Sequence, residues 1–116
     1  MILYVVLLFL PYALSLRLAV IGGHSQLGRS VIHYGIGRGW MMSAVVPKTI
    51  LETLDLECPC MTAHQFMQRE SVDYIVCDAM LVRRDALDVL FREYETERIF
   101  LIHSVEEGLQ ILKDIS

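Results

Sequence analysis

Residues Leu18 to Gly28 read Leu-Ala-Val-Ile-Gly-Gly-His-Ser-Gln-Leu-Gly, an apolar run that stops at two glycines and resumes, after three polar residues, with a leucine and a third glycine. The pattern predicts a buried strand over Leu16 to Ile21, a tight turn, and a helix from Gln26 to about Tyr34. With no side chain at Gly22, Gly23 and Gly28, the main chain can turn sharply, approach a pyrophosphate and let the helix pack close to the sheet. The first N–H groups of the helix then point at the anion. Read from Gly23 the spacing is Gly-x-Ser-x-x-Gly, and from Gly22 it is Gly-x-x-Ser-x-x-Gly. In both registers Ser25 stands where a middle glycine is expected, and a side chain there crowds a phosphate. The candidate nucleotide-binding residues in this stretch are Gly22, Gly23, Ser25, Gln26, Leu27 and Gly28.

Further along, the chain alternates. Gly35-Ile-Gly37-Arg-Gly39 ends the first helix, since glycine just past a helix is a routine terminator. Met41 to Val46 reads as a second strand closed by Pro47, and Lys48 follows. In dinucleotide folds the exit of the second strand meets the adenosine ribose, where an acidic residue favours a free 2′-hydroxyl and a basic one a 2′-phosphate. With Lys48 there and no Asp or Glu, NADP is favoured over NAD.

Thr49 to Leu54 gives a short helix or turn. Glu57 to Met61 gives a short strand whose Pro59 suits a sheet edge. A helix from Thr62 to about Glu70 follows, with Thr62 as its cap. Val72 to Cys77 is a buried strand, and Asp78-Ala79-Met80 lies at its carboxyl end, where parallel sheets place their ligands. Arg84 to Tyr94 is an amphipathic helix with Ala86, Leu87, Leu90, Phe91 and Tyr94 on one face. Arg98 to His103 is a fifth strand ending at Ser104, and Val105 to Ile115 a last helix. Five strand and helix pairs imply a doubly wound parallel α/β sheet with right-handed crossovers.

Composition agrees with a sheet buried on both faces. The 116 residues are 54% hydrophobic, enough for one domain with a single core. A net charge of −4 with no long basic run argues against nucleic acid as a partner. Cys58, Cys60 and Cys77 are an odd set without a secreted-domain framework, and the histidines at 24, 33, 64 and 103 make no metal-ligand spacing, so no metal site is expected.

Residues 1–15 form an apolar amino-terminal extension ahead of a single domain over 16–116. It carries no charge, has small residues at 13 and 15 like a signal-peptide cleavage site, lacks the usual preceding positive charge, and is short for a membrane span. A signal peptide, a membrane-associated anchor and an extension of a cytoplasmic domain are the three readings. A nucleotide-binding domain with unpaired thiols favours the cytoplasm.

The segment Val-Ile-Gly-Gly-His-Ser-Gln-Leu-Gly-Arg-Ser at 20–30 resembles the cofactor turn of the extended and atypical short-chain dehydrogenase/reductases, particularly the dTDP-4-dehydrorhamnose reductase and epimerase/dehydratase branch. The stretches 62–67, 72–79 and 97–104 are similar to that family's third-strand exit, fourth strand and fifth strand. The resemblance implies a Rossmann-like NAD(P)-binding domain, with Ala79 beside the cofactor and Ser104 at the position of a catalytic hydroxyl. It departs at Ser25, and no Tyr-x-x-x-Lys pair occurs in the sequence. In that family the tyrosine supplies the proton for carbonyl reduction and the lysine lowers its pKa, so hydride transfer here has no acid. The family's carboxyl-terminal substrate-binding part is missing as well. The expectation is a cofactor-binding module, at most a fragment of an oxidoreductase or epimerase.

Two readings from other classes remain open. Val72 to Leu81 is similar to the third strand of a response-regulator receiver with Asp78 as phosphoacceptor, although Gly22-Gly23 stand where receivers hold Mg²⁺ with acidic residues. A non-catalytic interaction domain that keeps only the fold is the other.

Overall fold

The structure, a computed structural model, describes residues 16–69 and 71–115. The apolar extension at 1–15 and Glu70, the expected end of one helix, lie outside the described residues. No helix among the described residues is long and apolar enough to cross a membrane.

Strand β1 (Arg17–Ile21) carries the burial that its apolar run predicts: Leu18, Ala19 and Val20 are all fully buried, although successive side chains point to opposite faces. A strand inaccessible from both sides belongs inside a parallel sheet. It pairs with β2 (Met41–Val45) from Arg17 opposite Met41 to Ile21 opposite Val45, and with β4 (Tyr74–Asp78) from Leu18 opposite Tyr74 to Ile21 opposite Cys77. β3 (Cys60–Met61) lies outside β2, and β5 (Ile99–Ile102) outside β4. The sheet is parallel throughout, in the order β3-β2-β1-β4-β5. Helices α1 (Gln26–Gly37), α2 (Lys48–Leu51), α3 (Ala63–Arg69), α4 (Arg84–Glu93) and α5 (Val105–Ile115) alternate with the strands. This is a Rossmann-like α/β fold; a third strand outside the second separates it from the 2-1-3-4-5 order of flavodoxin-like and receiver sheets.

Each face of the sheet has its own core. Val31 and Ile32 of α1 and Leu112 of α5 pack on Leu18, Val20 and Ile102, with Ile50 and Leu51 of α2 at the margin. Phe66 of α3 and Leu90 of α4 pack on Ala19, Ile75 and Cys77 opposite. Phe66 also stacks on Tyr94, ring centroids 6.0 Å apart.

Four local readings need correction. α1 continues to Gly37 rather than ending at Tyr34, because Gly35 is a packing residue: a Cβ there would collide with the Met42 Sδ. The true terminator is Gly39, at φ +80°. Its N–H donates to the Ile36 carbonyl and that of Trp40 to the Gly35 carbonyl, the double bond of a Schellman ending. β3 shrinks to two residues because Pro59 has no N–H to give, though its carbonyl accepts from the Ala44 N–H at 2.9 Å. β4 begins two residues late and includes Asp78. Ahead of it, Asp73 exchanges bonds with Arg17: its N–H donates to the Arg17 carbonyl and its carboxylate accepts the Arg17 N–H, both at 2.8 Å. On α4, Leu90 is buried but Phe91 remains 41% exposed, so the apolar face is narrower than the spacing implies.

Cys77 is fully enclosed between β4 and the α3/α4 layer, and burial pushes its thiol up to about 12. In the unfolded chain the thiol ionises near its ordinary value of 9.0 while the folded one stays protonated, so its stabilisation is intact below that pH and declines above it. Chemical denaturation between about pH 8 and 10.5 should therefore show native protein losing about 1.4 kcal/mol per pH unit above pH 9 through this residue, a loss missing from Cys77→Ala.

Candidate functional site

The turn after β1 is assembled from main-chain constraints. The Gly22 N–H donates to the Val45 carbonyl at 2.9 Å, tying the turn to β2, and the Ser25 N–H donates back to the Gly22 carbonyl at 3.1 Å. Gly22 has φ +82°, where a side chain is strained, and a Cβ there would come within 3.2 Å of the Asp78 Cβ. A Cβ on Gly23 would sit 2.6 Å from that of Ala44 in β2. One on Gly28 would collide with the Gly22 carbonyl oxygen and stand 2.7 Å from the Gly23 Cα. Gly23 and Gly28 let α1 lie directly on the end of the sheet, and Gly22 lets the turn pass close to Asp78 and Leu81. Since Gly23 faces Ala44, a bulky substitution at that position tests the fold before it tests binding.

Ser25 has a role beyond replacing a glycine. It is the N-cap of α1: its Oγ accepts from the Gly28 N–H at 2.9 Å, and its carbonyl accepts from the Arg29 N–H at 2.9 Å. One of the helix's terminal donors is thus satisfied from within.

Beside this turn, at the carboxyl ends of β1 to β4, opens a cleft of about 790 Å³. That volume is in the range of small-molecule and cofactor sites. Ile21, Val45, Val46 and Val82 give it apolar walls, and Gly22 and His24 bring the glycine turn to it. Lys48 enters from the exit of β2 and Arg83 from the residue before α4, against one carboxylate, Glu52. The Arg83 Nε lies 3.5 Å from Asp85 Oδ1, both largely exposed; such a surface pair contributes little and leaves most of the guanidinium donors available. His24 supplies the remaining feature. Its Nδ1 is the buried side-chain polar atom that lacks a hydrogen-bond partner among the described residues. The rim at His64 and Gln65 is held by a capping box: Thr62 Oγ1 accepts the Gln65 N–H at 3.3 Å, and Gln65 Oε1 accepts the Thr62 N–H at 3.0 Å.

The sequence-derived site residues therefore separate. Gly22 and Lys48 line the cleft, while Gly23 and Gly28 are buried beneath the turn. Leu27 packs against the core. Gln26 faces a second cleft of about 750 Å³ that follows α1 to Tyr34 and contains a His33–Glu57 contact of 3.2 Å. The Ala79 N–H donates to the Ile102 carbonyl at 2.9 Å. Ser104 Oγ accepts the Glu107 N–H at 3.1 Å, and Glu107 in turn accepts the His103 N–H at 3.1 Å, so Ser104 closes the first turn of α5. Asp78 is buried, and its Oδ1 accepts the Met80 N–H at 3.0 Å. Among the described residues no group of three or more His, Cys, Asp or Glu could hold a metal ion.

His24 and Arg83 are the residues that sequence reasoning missed. Arg83 had a signal, a cation between a strand's carboxyl end and the next helix; the burial of one His24 nitrogen had none.

No protein-family model matches the chain, and neither curated proteins nor solved structures give a match.

At positive φ, Gly22→Ala should cost about 1–3 kcal/mol, and Ser25→Ala about 1 kcal/mol through loss of the cap. Urea denaturation of each variant measures both. A loss at Ser25 below about 0.3 kcal/mol would mean that the cap contributes nothing in solution.

Proposed function

We propose that this chain is a dinucleotide-binding module of the short-chain dehydrogenase/reductase type, taking NADP in preference to NAD and catalytically incomplete as an isolated chain. The observation that carries the reading is the glycine turn at the end of β1, opening on one side to α1 and on the other to a cleft that holds Lys48 and Arg83. In a sheet of this order, ligands meet the carboxyl ends of the strands where the order reverses, here between β1 and β4.

The residues fit the cofactor. Gly22, at positive φ, brings main chain without a side chain to the cleft, and Lys48 and Arg83 offer cations to phosphate oxygens. The two cations stand in a protein whose net charge is −4, so they set a local field opposite to that of the whole molecule. Lys48, at the exit of β2 and on the cleft, supports the 2′-phosphate reading. A bound cofactor would supply hydride chemistry. The chain's own residues bind and orient it, and no Tyr-x-x-x-Lys pair is present to deliver a proton.

Against the receiver reading, the Asp78 carboxylate is buried and engaged by the Met80 N–H, and the sheet has a different strand order.

Thermal denaturation with NADPH and NADH tests the proposal. Saturation at a hundredfold excess over Kd should add about 2.7 kcal/mol of stability, visible as a rise in Tm. Lys48→Ala should weaken NADPH more than NADH. The absence of a shift with either cofactor at millimolar concentration overturns the reading, and equal weakening of both removes the assignment of Lys48 to the 2′-phosphate.

A further inference from the structure

We propose that the groove at the amino ends of β1 to β3, at the opposite end of the sheet from the cleft, binds a soft monovalent metal ion, copper(I), between the sulfurs of Cys58 and Cys60 with the thioether of Met42 beside them. The proposal is independent of the dinucleotide reading.

The groove has a volume of about 520 Å³. The chain has three cysteines and six methionines. Cys58 and three of the methionines, Met41, Met42 and Met61, line this one groove, and Cys60 stands between Cys58 and Met61 in the chain. The sheet register brings the sulfurs to one place. Ala44 is the partner of Cys60, and its N–H donates to the Pro59 carbonyl at 2.9 Å, so Met42, two residues back, comes level with Cys58. Residues two apart in an extended chain share a face, and Met42, Cys58 and Cys60 all pack against the core on the α1/α5 side. The Cys60 thiol reaches back along the chain and donates to the Cys58 carbonyl at 3.5 Å. Pro59 fixes the backbone between the two thiols, which sets their spacing before any ligand arrives. Met42 Sδ lies beneath α1, as the nearest atom to a Cβ built on Gly35.

This set of donors suits one class of ion. Thiolate and thioether sulfurs select soft ions, whereas structural zinc takes four sulfur, nitrogen or oxygen ligands. Among the described residues no group of three or more His, Cys, Asp or Glu could hold a metal ion, so a tetrahedral zinc set is not assembled here. A monovalent d¹⁰ ion is satisfied by two thiolates, or by two thiolates and a thioether. On binding, the two thiols release two protons and the copper(I) bis-thiolate carries one negative charge, with no electron transferred. Arg17 and Glu57 both line the groove, and the arginine opposes that charge. The same thiols are poorly suited to oxidative chemistry: burial first, then the charges of Cys60 and Glu57, push Cys58 up to about 11, and burial raises Cys60, so neither is a ready nucleophile.

Titration of the reduced full chain with copper(I) against the chromophoric chelator bicinchoninate, in the absence of oxygen, tests the assignment. One copper(I) per chain should be withdrawn from the chelator, with the appearance of an ultraviolet thiolate-to-copper band, and equimolar zinc(II) should not displace it. Cys58→Ser and Cys60→Ser should each weaken retention about a hundredfold, and Met42→Leu, of similar volume, about tenfold. Cys77→Ala should leave retention unchanged. Far-ultraviolet circular dichroism of each variant should match that of the parent chain. No retention by the parent chain, retention that survives both serine variants, or displacement by zinc(II) overturns the proposal.

Discussion

Everything at the carboxyl edge of this sheet depends on backbone lying against backbone at Gly28. The first turn of α1 sits so close to the end of β1 that a single methyl group at residue 28 would meet the Gly22 carbonyl and the Gly23 Cα. That approach fixes where α1 begins. The hydrogen bond from the Gly22 N–H to the Val45 carbonyl then fixes the turn against β2, and the fit of Gly23 on Ala44 holds the second residue of the turn to the same strand. A side chain at Gly23 or Gly28 would force α1 outward, and one at Gly22 would press on Asp78 and Leu81.

The cleft inherits its chemistry from strand ends. Apolar residues that complete β1 and β2 become its walls, and the polar residues that start the next segments become its rim. Lys48 and Arg83 are thus consequences of where β2 and β4 stop. Neither is buried, so their combined effect depends on a ligand excluding water between them; at high ionic strength it weakens. On the β5 side, Ser104 Oγ caps α5 and Asp78 Oδ1 closes the turn at Met80.

Much of the fold is legible in the sequence because it rests on local signals. The alternation of apolar runs with helical spacings gives strand and helix order, and the glycine turn marks the first crossover. Boundaries were harder, for identifiable reasons. Gly35 looks like a helix terminator until Met42 is placed under it, and Phe91 looks like a core residue until the width of the α4 interface is known. Ser25 and Ser104 carry a signal in the chain itself: each precedes a helix, and Ser104 has Glu107 three residues later, the spacing of a capping box. The cleft was half legible. Lys48 follows from its place after β2, whereas His24 becomes notable only through tertiary burial of one nitrogen.

The most direct measurement is a map of backbone amide chemical-shift changes on titrating the chain with NADPH. The largest changes should fall in the turn from Gly22 to Gly28, at Val46 and Lys48, and from Leu81 to Arg83, with little at His103 to Val105. Changes concentrated along the outer cleft at His33, Tyr34 and Glu57, or an unchanged spectrum, would contradict a nucleotide seat at the glycine turn.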